Sequence, residues 1–401
     1  MSFLSTPLRQ TITKLTEQEH TPFFVYDLDG LLSHLKPLTE QSVVKLWYAV
    51  KANPLSKVIQ TLDKAGFDFD VASSGELDQV LRQDIDASRV LNTGPAKSKR
   101  QIQHFLSQGV RTFVAESHNQ VKWLNDAAEE LNIQLRILLR VQLRWPEGEK
   151  NPLGGDSLTP FGLGVEQWHS LQISKYQALN FVGLHIFQWG NMLSTEKLVQ
   201  LWTQMVPPLK ALADNLGFKL DILDLGGGLG IPYSENDAQL TWPTLIDALA
   251  QIKASAGVTE LWMELGRYAV GEFGHYANPV VEQKQNYDEH QLIMSGGINH
   301  LLRPAVTNQA FPCELLRKSS AASRSYVLHG PLCTALDNLG YHTLPKDIHE
   351  QDWLVFSQCG AYGFTESMPY FLCHELPAEY VIEHGKICHV RAMQHASDYL
   401  R

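Results

Sequence analysis

Short apolar, β-branched or aromatic runs recur through the first two-thirds of the chain at a nearly constant spacing. The spacing of about 23 residues is the length of one strand followed by one helix. Five runs begin near Val43, Phe67, Val90, Thr112 and Leu135, and three more span 180–187, 220–225 and 260–264. Eight strand–helix repeats predict a (β/α)8 barrel, whose active sites lie where the strands end. The alternative from pattern alone is an open, doubly wound sheet.

Two intervening segments have the apolar periodicity of amphipathic helices. The segment 119–132 places Val121, Leu124 and Leu131 on one face. The segment 194–216 has the same pattern, with Ser194 or Thr195 as its N-cap and Gly217 at its end. Two consecutive prolines, 207 and 208, predict a kink or a break within this second helix.

Helical periodicity fades after about residue 275, and a different pattern follows. Short runs alternate with Gly and Pro turns, which predicts a mostly-β second domain, a β-barrel or sandwich. The runs are at 291–295, 325–329, 352–357, 380–383 and 387–390. We therefore expect a barrel domain over 23–275 and a β domain over 276–401 that includes part of 1–28. The run at 23–28 is one strand more than the barrel needs, so it fits either the second domain or the link.

Composition excludes several classes of function. The chain has 401 residues, enough for two domains, with 44% hydrophobic and 19% charged residues, as in globular proteins. Its net charge is −10 and no basic stripe with interleaved aromatics occurs, so nucleic acid is not an expected partner. No apolar run approaches the roughly 18 residues that cross a bilayer, so no membrane association is expected.

The cysteines and the N-terminus indicate a reducing compartment. The five cysteines are Cys313, Cys333, Cys359, Cys373 and Cys388. An odd number without paired short spacing argues against a disulfide framework or a zinc site, so no metal is expected. The first residues lack the charged and apolar regions of a secretory signal. We expect a cytoplasmic protein.

Lys51 directly follows the apolar run 46–50 and would lie in the mouth of the barrel. A desolvated lysine has a lowered pKa and can form a Schiff base with an aldehyde. The alternative is an ordinary solvated lysine. Lys51 is therefore a candidate only in combination with other strand-end residues.

Two further strand ends carry groups that suit a phosphorylated cofactor. Gly226, Gly227 and Gly228 follow the run 220–225, and their bare backbone can approach a phosphate closely. Glu264 and Arg267 end the last barrel run, where a carboxylate can bond a protonated pyridine nitrogen and a guanidinium can pair with phosphate. Glycine-rich turns and surface ion pairs are common, so each signal alone is weak.

Two strand ends in the second domain add a thiol and a phenol. Cys333 lies in the loop His329–Asp337 after a Gly-Pro turn, and Tyr362 lies between two glycines in Gly360–Phe364. The alternatives are a buried small hydrophobe for the cysteine and core packing for the tyrosine.

These motifs, centred on Lys51, the three glycines, Glu264–Arg267, Cys333 and Tyr362, resemble the fold-type III pyridoxal-phosphate (PLP) decarboxylases. That family includes diaminopimelate and ornithine decarboxylases, and the resemblance spans roughly residues 23–395 in the right order. It implies a barrel of the alanine-racemase type with a C-terminal β domain, PLP as cofactor, and a head-to-tail homodimer with shared active sites.

The resemblance also implies a role for each matching residue. Lys51 would form the imine with PLP, and Cys333 of the partner subunit would return a proton to the substrate carbon after CO2 leaves. Glu264 would keep the pyridine nitrogen protonated, which favours decarboxylation over racemisation. The remaining residues expected at the cofactor are Asp70, with Glu76 nearby, His185, Phe187, Gly226, Gly227, Gly228, Arg267 and Tyr362. Those expected at the substrate are Arg303, Thr334 and Asp337.

Three departures from the family pattern bear on the substrate. Phe187 replaces the histidine that usually stacks on the cofactor ring, and Leu265 replaces the proline of Glu-Pro-Gly-Arg. Thr334 follows the motif cysteine where enzymes that bind a distal ammonium carry an acid. Loss of that charged contact costs about 1.5–3 kcal/mol. We therefore expect a conjugated or carrier-linked amino acid, such as a citryl-amino acid precursor of a carboxylate siderophore.

Three other functions remain open at this point. The chain could decarboxylate diaminopimelate or another free basic amino acid. An amino-acid racemase of the same barrel class would release no CO2. A non-catalytic PLP-binding homologue is disfavoured because Lys51, Glu264 and Cys333 are all present.

Overall fold

The computed structural model describes residues 2–145 and 158–400. The chain forms two compact units, Met1–Ser33 with Pro232–Asp237 and Val270–Arg401, and His34–Ile231 with Ala238–Ala269. We call the first the β unit and the second the barrel unit. The described helices are α1 (Thr6–Thr16), α2 (Leu28–Thr39), α3 (Ser56–Lys64), α4 (Ser74–Leu81), α5 (Lys99–Ser107), α6 (His118–Glu130), α7 (Val165–Trp168), α8 (Thr195–Leu216), α9 (Trp242–Ala256), α10 (Arg267–Val270) and α11 (Arg303–Thr307).

The described strands fall into two large sheets and one small one. They are β1 (Phe23–Asp27), β2 (Val44–Ala49), β3 (Asp68–Val71), β4 (Val90–Asn92), β5 (Thr112–Ala115), β6 (Leu135–Gln142), β7 (Leu163–Gly164), β8 (Leu179–His185), β9 (Ile222–Asp224), β10 (Glu260–Leu265), β11 (Gly274–Asn286), β12 (Glu289–Met294), β13 (Cys313–Leu315), β14 (Ser323–His329), β15 (Asn338–Pro345), β16 (Trp353–Phe356), β17 (Glu375–Leu376), β18 (Ala378–Glu383), β19 (Lys386–Arg391) and β20 (Gln394–His395).

The barrel unit is a closed ring of eight parallel strands, in the order β2-β3-β4-β5-β6-β8-β9-β10. It closes where β10 pairs with β2, with Leu261 opposite Val44 and Leu265 opposite Tyr48. The two-residue strand β7 pairs only with the end of β6. The predicted (β/α)8 barrel is therefore confirmed, and the open-sheet alternative is wrong. Closure brings the carboxyl ends of all eight strands to one mouth.

Two tryptophans fill part of the barrel interior. The indoles of Trp47 on β2 and Trp262 on β10 lie 4.8 Å apart between ring centroids and are almost wholly buried. They pack with one residue from each of five other strands, Leu91, Val114, Leu138, Val182 and Ile222. Side chains pointing inward from the strands thus make a packed core rather than a pore.

Replacing Trp262 by alanine is expected to lower the free energy of unfolding by about 3–5 kcal/mol, because a large cavity would remain between rigid strands. Urea unfolding followed by circular dichroism measures this loss. The matched control is Trp123→Ala on α6, whose indole is only half-buried, and it should cost clearly less. Equal losses for the two variants would contradict the assignment of Trp262 to the barrel core.

Helix α8 confirms the predicted bounds and corrects one prediction. The Ser194 side chain accepts a hydrogen bond from the backbone N–H of Lys197, and Gly217 ends the helix with φ 78°. We predicted a kink or a break at the two prolines, 207 and 208. The break is wrong, since the helix runs unbroken through them, and the kink stays a prediction. Their rings leave the carbonyls of Thr203 and Gln204 without intrahelical donors. Both residues are exposed, so water can replace the missing bonds.

The β unit is built around one nine-stranded sheet, so the prediction of a mostly-β region is confirmed. Strand β1 lies inside this sheet, antiparallel to β11 and parallel to β18. Helix α1 covers it, with Leu8 and Ile12 in the same apolar cluster as Phe23. The domain bounds of 23–275 and 276–401 stay a prediction, because packing within one chain does not show which segments fold independently. No helix in the described part of the chain could cross a membrane.

Candidate active site

Three neighbouring strands of the barrel end in an amine, a glycine run and a carboxylate. Lys51 lies in a single 3-10 turn directly after β2 and is exposed. Glu264 lies on β10, opposite Trp47 of β2. The glycines 226–228 follow β9, which pairs with β10 on its other side. The structure therefore brings together the three barrel motifs that the sequence predicted.

The three glycines are required by the close packing of their loop. A Cβ on Gly226 would lie 2.4 Å from the Cβ of Phe187, and one on Gly227 would lie 2.3 Å from the Glu264 carbonyl oxygen. Gly226 and Gly228 also have φ values of 63° and 100°, which favour glycine. The loop is thus a bare stretch of backbone beside Glu264.

Glu264 is buried and forms a hydrogen bond with His185 on β8, which is separated from β10 by β9. The His185 Nε2 lies 3.1 Å from Glu264 Oε1, and both side chains are at most 5% exposed. Burial alone would raise the pKa of Glu264, but the charge and hydrogen bond of His185, with Lys51 and Arg140, hold it below its ordinary value. Glu264 is therefore a carboxylate that stays negative inside the barrel.

Phe187 lies beside the glycine loop, and its predicted stacking on the cofactor ring stays a prediction. Its side chain is half-buried and packs against the glycine loop, in contact distance of the positions a Cβ on Gly227 or Gly228 would take. The next residue, Gln188, is buried and bonds both backbone groups of Leu143, at 3.1 Å and 2.8 Å. Gln188 thereby fixes the loop after β8 to the loop after β6.

A pair of tryptophans borders this loop. Trp145 and Trp189 meet edge to face, with ring centroids 4.5 Å apart, and the Trp145 indole N–H donates to Gln188 Oε1 at 3.3 Å. Both rings are half-buried. They form an aromatic wall at the carboxyl ends of β6 and β8, which the sequence did not predict.

Asp70 lies on β3, and Glu76 lies in α4, the helix that follows this strand. Burial, and then the charge of Glu264, raises the pKa of Asp70 to about 8, although Thr93 Oγ1 donates a 2.6 Å hydrogen bond to it. Glu76 has a local role, because its carboxylate accepts from the Ala72 backbone N–H at 2.8 Å at the start of α4. Burial and the charge of Glu264 therefore favour the neutral form of Asp70.

Several charged groups at the barrel mouth were missed from the sequence. Arg140 on β6 and Glu116 after β5 form a buried salt bridge of 3.1 Å. Lys97, after β4, donates to the Gly94 carbonyl oxygen, and burial lowers its pKa to about 8. Asp224, on β9 immediately before the glycines, is fully buried. Each of these residues lies on a barrel strand or shortly after one. A charged residue in such a position is the sequence signal that could have identified them.

The cysteine loop of the β unit, residues 330–337, has an exposed thiol and a buried carboxylate. Cys333 is exposed. Asp337 is 2% exposed and accepts hydrogen bonds from the backbone N–H groups of Ile298 and Leu332, at 2.8 Å and 2.7 Å. Burial raises the pKa of Asp337. The Thr334 hydroxyl accepts from the Leu336 N–H at 3.2 Å.

A second cluster of the β unit contains the predicted arginine and tyrosine. The Arg303 guanidinium lies 4.2 Å from the centre of the Tyr362 ring, and its Nε is 3.0 Å from Glu366 Oε2. Tyr362 has φ 55°, an uncommon conformation for a non-glycine residue. In the barrel unit, Arg267 begins α10 directly after the Glu264 strand.

The residues at the barrel mouth fit a group with an aldehyde, a basic ring nitrogen and a phosphate. Lys51 supplies an amine for the aldehyde, Glu264 a carboxylate for a protonated ring nitrogen, and the glycine loop a bare backbone for the phosphate. A side chain on any of the three glycines would fill that cradle. The fold and this donor set define a barrel enzyme that uses PLP.

The chain belongs to the pyridoxal-dependent decarboxylase family, whose pyridoxal binding domain matches residues 32–271. It is therefore a PLP-dependent carboxy-lyase, and the racemase alternative is disfavoured. It is 24% identical to the L-glutamyl-[BtrI acyl-carrier protein] decarboxylase of Niallia circulans, over 96% of this chain and 94% of that protein. It is 26% identical to the 2-[(L-alanin-3-ylcarbamoyl)methyl]-2-hydroxybutanedioate decarboxylase of Staphylococcus aureus, over 92% and 96%.

Solved structures show the same fold. The crystal structure of diaminopimelate decarboxylase from Helicobacter pylori, complexed with L-lysine, is similar with a TM-score of 0.86 and 23% identity. The match covers 96% of this chain and 98% of that one. At this identity the likeness supports the two-part architecture alone.

Proposed function

We propose that this enzyme removes CO2 from a conjugated or carrier-linked amino acid, such as a citryl-amino acid, in the synthesis of a siderophore or a similar specialised metabolite. Two of its relatives are named for such substrates, one linked to an acyl-carrier protein and one carrying a hydroxybutanedioate group. The alternative substrate is a free basic amino acid, for which the diaminopimelate decarboxylases among the relatives are the support.

One observation carries the substrate proposal: the cysteine loop presents no outward carboxylate. Thr334 follows Cys333, and Asp337 is the loop's one acid. The Asp337 carboxylate is buried and accepts hydrogen bonds from two backbone N–H groups. It is therefore not available to form an ion pair with the ammonium group of a substrate. A buried ammonium without a carboxylate partner would lose a charge-assisted hydrogen bond. We therefore propose that Asp337 positions the loop rather than binding the substrate.

The cofactor-binding roles follow from the barrel mouth. Lys51 would hold PLP through its amine, the three glycines with Arg267 would bind its phosphate, and Phe187 would cover its ring. When bound, PLP supplies a sink for the electron pair left at Cα as CO2 departs. With the cofactor bound, Glu264 would hold the proton on the ring nitrogen, and the buried neighbours of Glu264 would exclude water from that contact.

The remaining proton transfer is assigned to the cysteine loop. The Cys333 thiol would donate a proton to Cα, acting as a general acid from the partner subunit of a homodimer. Exposed apolar side chains on the β unit support a dimer, since Met368, Tyr370, Phe371 and Leu372 are each at least 39% exposed.

Arg303 would contact a carboxylate of the substrate. All five cysteines lack disulfide bonds, in line with a cytoplasmic location.

The substrate proposal is tested by CO2 release from the purified holoenzyme. Citryl-conjugated diamino acids are compared with free diaminopimelate, ornithine and arginine at equal concentration. We expect kcat/KM at least about 100-fold higher for a conjugate, corresponding to roughly 2.7 kcal/mol. Brisk turnover of any of the free diamino acids would overturn the proposal but leave the decarboxylase assignment intact.

Replacing Thr334 by glutamate is expected to raise kcat/KM for free diaminopimelate or ornithine by about 10- to 100-fold. The new carboxylate restores a charge-assisted contact worth roughly 1.5–3 kcal/mol. The control is Thr334→Gln, which has the same shape without the charge and should not show the gain. Equal effects of the two variants would contradict an electrostatic role for this position.

A further inference from the structure

Two neighbouring loops of the β unit carry the residues proposed for proton transfer and for binding the substrate carboxylate. Strands β12 and β14 pair in parallel, with Ile293 opposite His329, so the loops that follow them leave the same edge of the sheet. One is the cysteine loop, which connects β14 to β15. The other, residues 295–303, ends in Arg303, and we call it the arginine loop. The sheet topology therefore places Cys333 and Arg303 in adjacent loops.

Asp337, the last residue of the cysteine loop, holds both loops through one carboxylate. Its Oδ2 accepts from the Leu332 backbone N–H at 2.7 Å, which closes the cysteine loop on itself. Its Oδ1 accepts from the Ile298 backbone N–H of the arginine loop at 2.8 Å. Asp337 is 2% exposed, so water has little access to either bond. Each carboxylate oxygen thus serves one loop.

The bond to Ile298 is the polar link between the cysteine loop and its surroundings. Among the hydrogen bonds of the described residues, it alone joins this loop to a segment outside the β14–β15 hairpin. The other bonds of the loop are internal. The Thr334 N–H donates to the Leu332 carbonyl oxygen at 2.8 Å, and the Asp337 N–H donates to the Thr334 carbonyl oxygen at 3.2 Å. Cys333 lies between the first two of these residues, so Asp337 fixes its place relative to the arginine loop.

Glycines on both loops leave room for the carboxylate. A Cβ on Gly297 of the arginine loop would lie 2.0 Å from Asp337 Oδ1. A Cβ on Gly330 of the cysteine loop would lie 2.4 Å from each carboxylate oxygen. A larger residue at either position would therefore displace the carboxylate from its two bonds. The close approach of the two loops at Asp337 is thus the reason that both positions are glycine.

The arginine loop, in contrast, has anchors that do not involve Asp337. The Asn278 side chain on β11 is fully buried and bonds both backbone groups of Gly296, donating at 2.8 Å and accepting at 3.0 Å. The Ile298 carbonyl oxygen also accepts from the Met368 N–H at 3.1 Å. Loss of one Asp337 bond should therefore release the cysteine loop and leave the arginine loop in place.

We propose that Asp337 is a positioning residue that fixes the Cys333 thiol relative to Arg303, so that the proton donor and the carboxylate-binding group act from one frame. The inference rests on the roles proposed for these two residues. Asp337 acts through the cysteine loop and has no contact with the reacting atoms. The position of the loop matters because a general acid must lie within hydrogen-bond reach of its acceptor. A displacement of about 1 Å can lower a rate by about 10²-fold.

Asp337→Asn is the direct test, because asparagine has nearly the same size and only one acceptor oxygen. It can accept from Leu332 or from Ile298 but not from both. The matched control is Asp352→Asn in the same unit, since Asp352 is 6% exposed and also accepts from a backbone N–H, that of His349 at 3.0 Å. Both substitutions should lower the free energy of unfolding in urea, and only the first should alter catalysis.

Kinetics of the holoenzyme separate positioning from stability. Asp337→Asn should lower kcat by about 10- to 100-fold with KM nearly unchanged, as expected for a displaced general acid beside an intact arginine loop. In a Cys333→Ala background the same substitution should lower kcat no further, because residues that act as one unit are not additive. Asp352→Asn should leave kcat unchanged in both backgrounds.

Hydrogen exchange of the holoenzyme reports on the loops themselves. It is followed by mass spectrometry on peptides that cover residues 296–303 and 330–337. Asp337→Asn should speed exchange in at least one of the two peptides, because one backbone N–H loses its buried acceptor, and Asp352→Asn should not. If Asp337→Asn does not fold, Gly297→Ala replaces it, since its Cβ would displace the same carboxylate from the other loop.

A wild-type kcat in Asp337→Asn would overturn the inference, as would unchanged exchange in both peptides. An equal loss of kcat in Asp352→Asn, or a further loss in the Cys333→Ala background, would also overturn it by showing an effect that does not pass through the thiol. A Cys333→Ala enzyme with full activity would instead refute the proposed role of Cys333, while hydrogen exchange would still show whether Asp337 holds the loops. The two failures are therefore distinguishable.

Discussion

The Lys51→Ala enzyme is expected to lose decarboxylation by about 10⁴-fold or more, because the residue that bonds the cofactor acts as part of a unit whose loss is not compensated. Lys51 lies at the carboxyl end of β2, one strand from Glu264. The variant should also lack the cofactor's absorption near ~420 nm at stoichiometric PLP, since that band requires an imine with the protein. Spectra and CO2 release measure the two losses independently.

A second lysine at the barrel mouth could also bond the cofactor, so the experiment must distinguish it from Lys51. Lys97 also lies at the barrel mouth, and burial lowers its pKa to about 8, which makes it a chemically plausible competitor. However, Lys97 is 2% exposed and its Nζ donates to the Gly94 carbonyl oxygen, whereas Lys51 is exposed. Borohydride reduction of the holoenzyme should therefore fix the cofactor to the peptide that contains Lys51.

The control for this experiment is Lys122→Ala, an exposed lysine on α6 that pairs with Asp126 four residues on. It should retain the spectrum, the labelled peptide and the activity of the wild type. A label on the peptide of Lys97, or a Lys51→Ala enzyme with an unchanged spectrum, would refute the assignment of roles around Lys51.

Much of the architecture was predictable because each barrel strand is buried on both faces. Such strands appear as short apolar runs, and their spacing reveals the strand–helix repeat before any contact is known. The predicted starts at Val90, Thr112 and Leu135 coincide with the first residues of β4, β5 and β6. The continuous helix at the prolines 207 and 208 was not predictable, because it depends on which carbonyls face solvent.

The polar interior of the site was less predictable than its strands. Lys51, Glu264 and the glycines each follow or end a recognisable strand, so position alone identifies them. Asp224 appears in the sequence as one more residue between apolar neighbours. Its place beside His185 and Glu264, which lie 39 and 40 residues away in sequence, arises only when adjacent strands pair.

The Arg140–Glu116 salt bridge shows the same limit. Pairing of β5 with β6 places Ala115 opposite Leu139, so the next residues along each strand, Glu116 and Arg140, become neighbours. Register is a property of the pair of strands, not of either sequence segment. The buried Asp337 carboxylate is a further case, because its bonds to Ile298 and Leu332 join two distant loops.

The Cys333→Ala enzyme is expected to lose about 10²- to 10⁴-fold in kcat with little change in KM, which is the range for a missing general acid. Cys333 is exposed in the cysteine loop, where a partner subunit can reach it. Cys333→Ser should be nearly as slow, because a hydroxyl is a far weaker acid than a thiol. The control is Cys388→Ala on β19, also an exposed cysteine, which should retain full activity.

A mixture of two inactive variants tests whether the thiol comes from the partner subunit. In a hybrid dimer of Lys51→Ala and Cys333→Ala chains, one site holds both defects and the other holds neither if the sites are shared. Random exchange makes half of the dimers hybrids with one intact site each, so about a quarter of wild-type activity should return. If each site used its own chain's cysteine, every site in the hybrid would carry one defect, and mixing would restore no activity. The recovered fraction therefore distinguishes a shared site from a self-contained one.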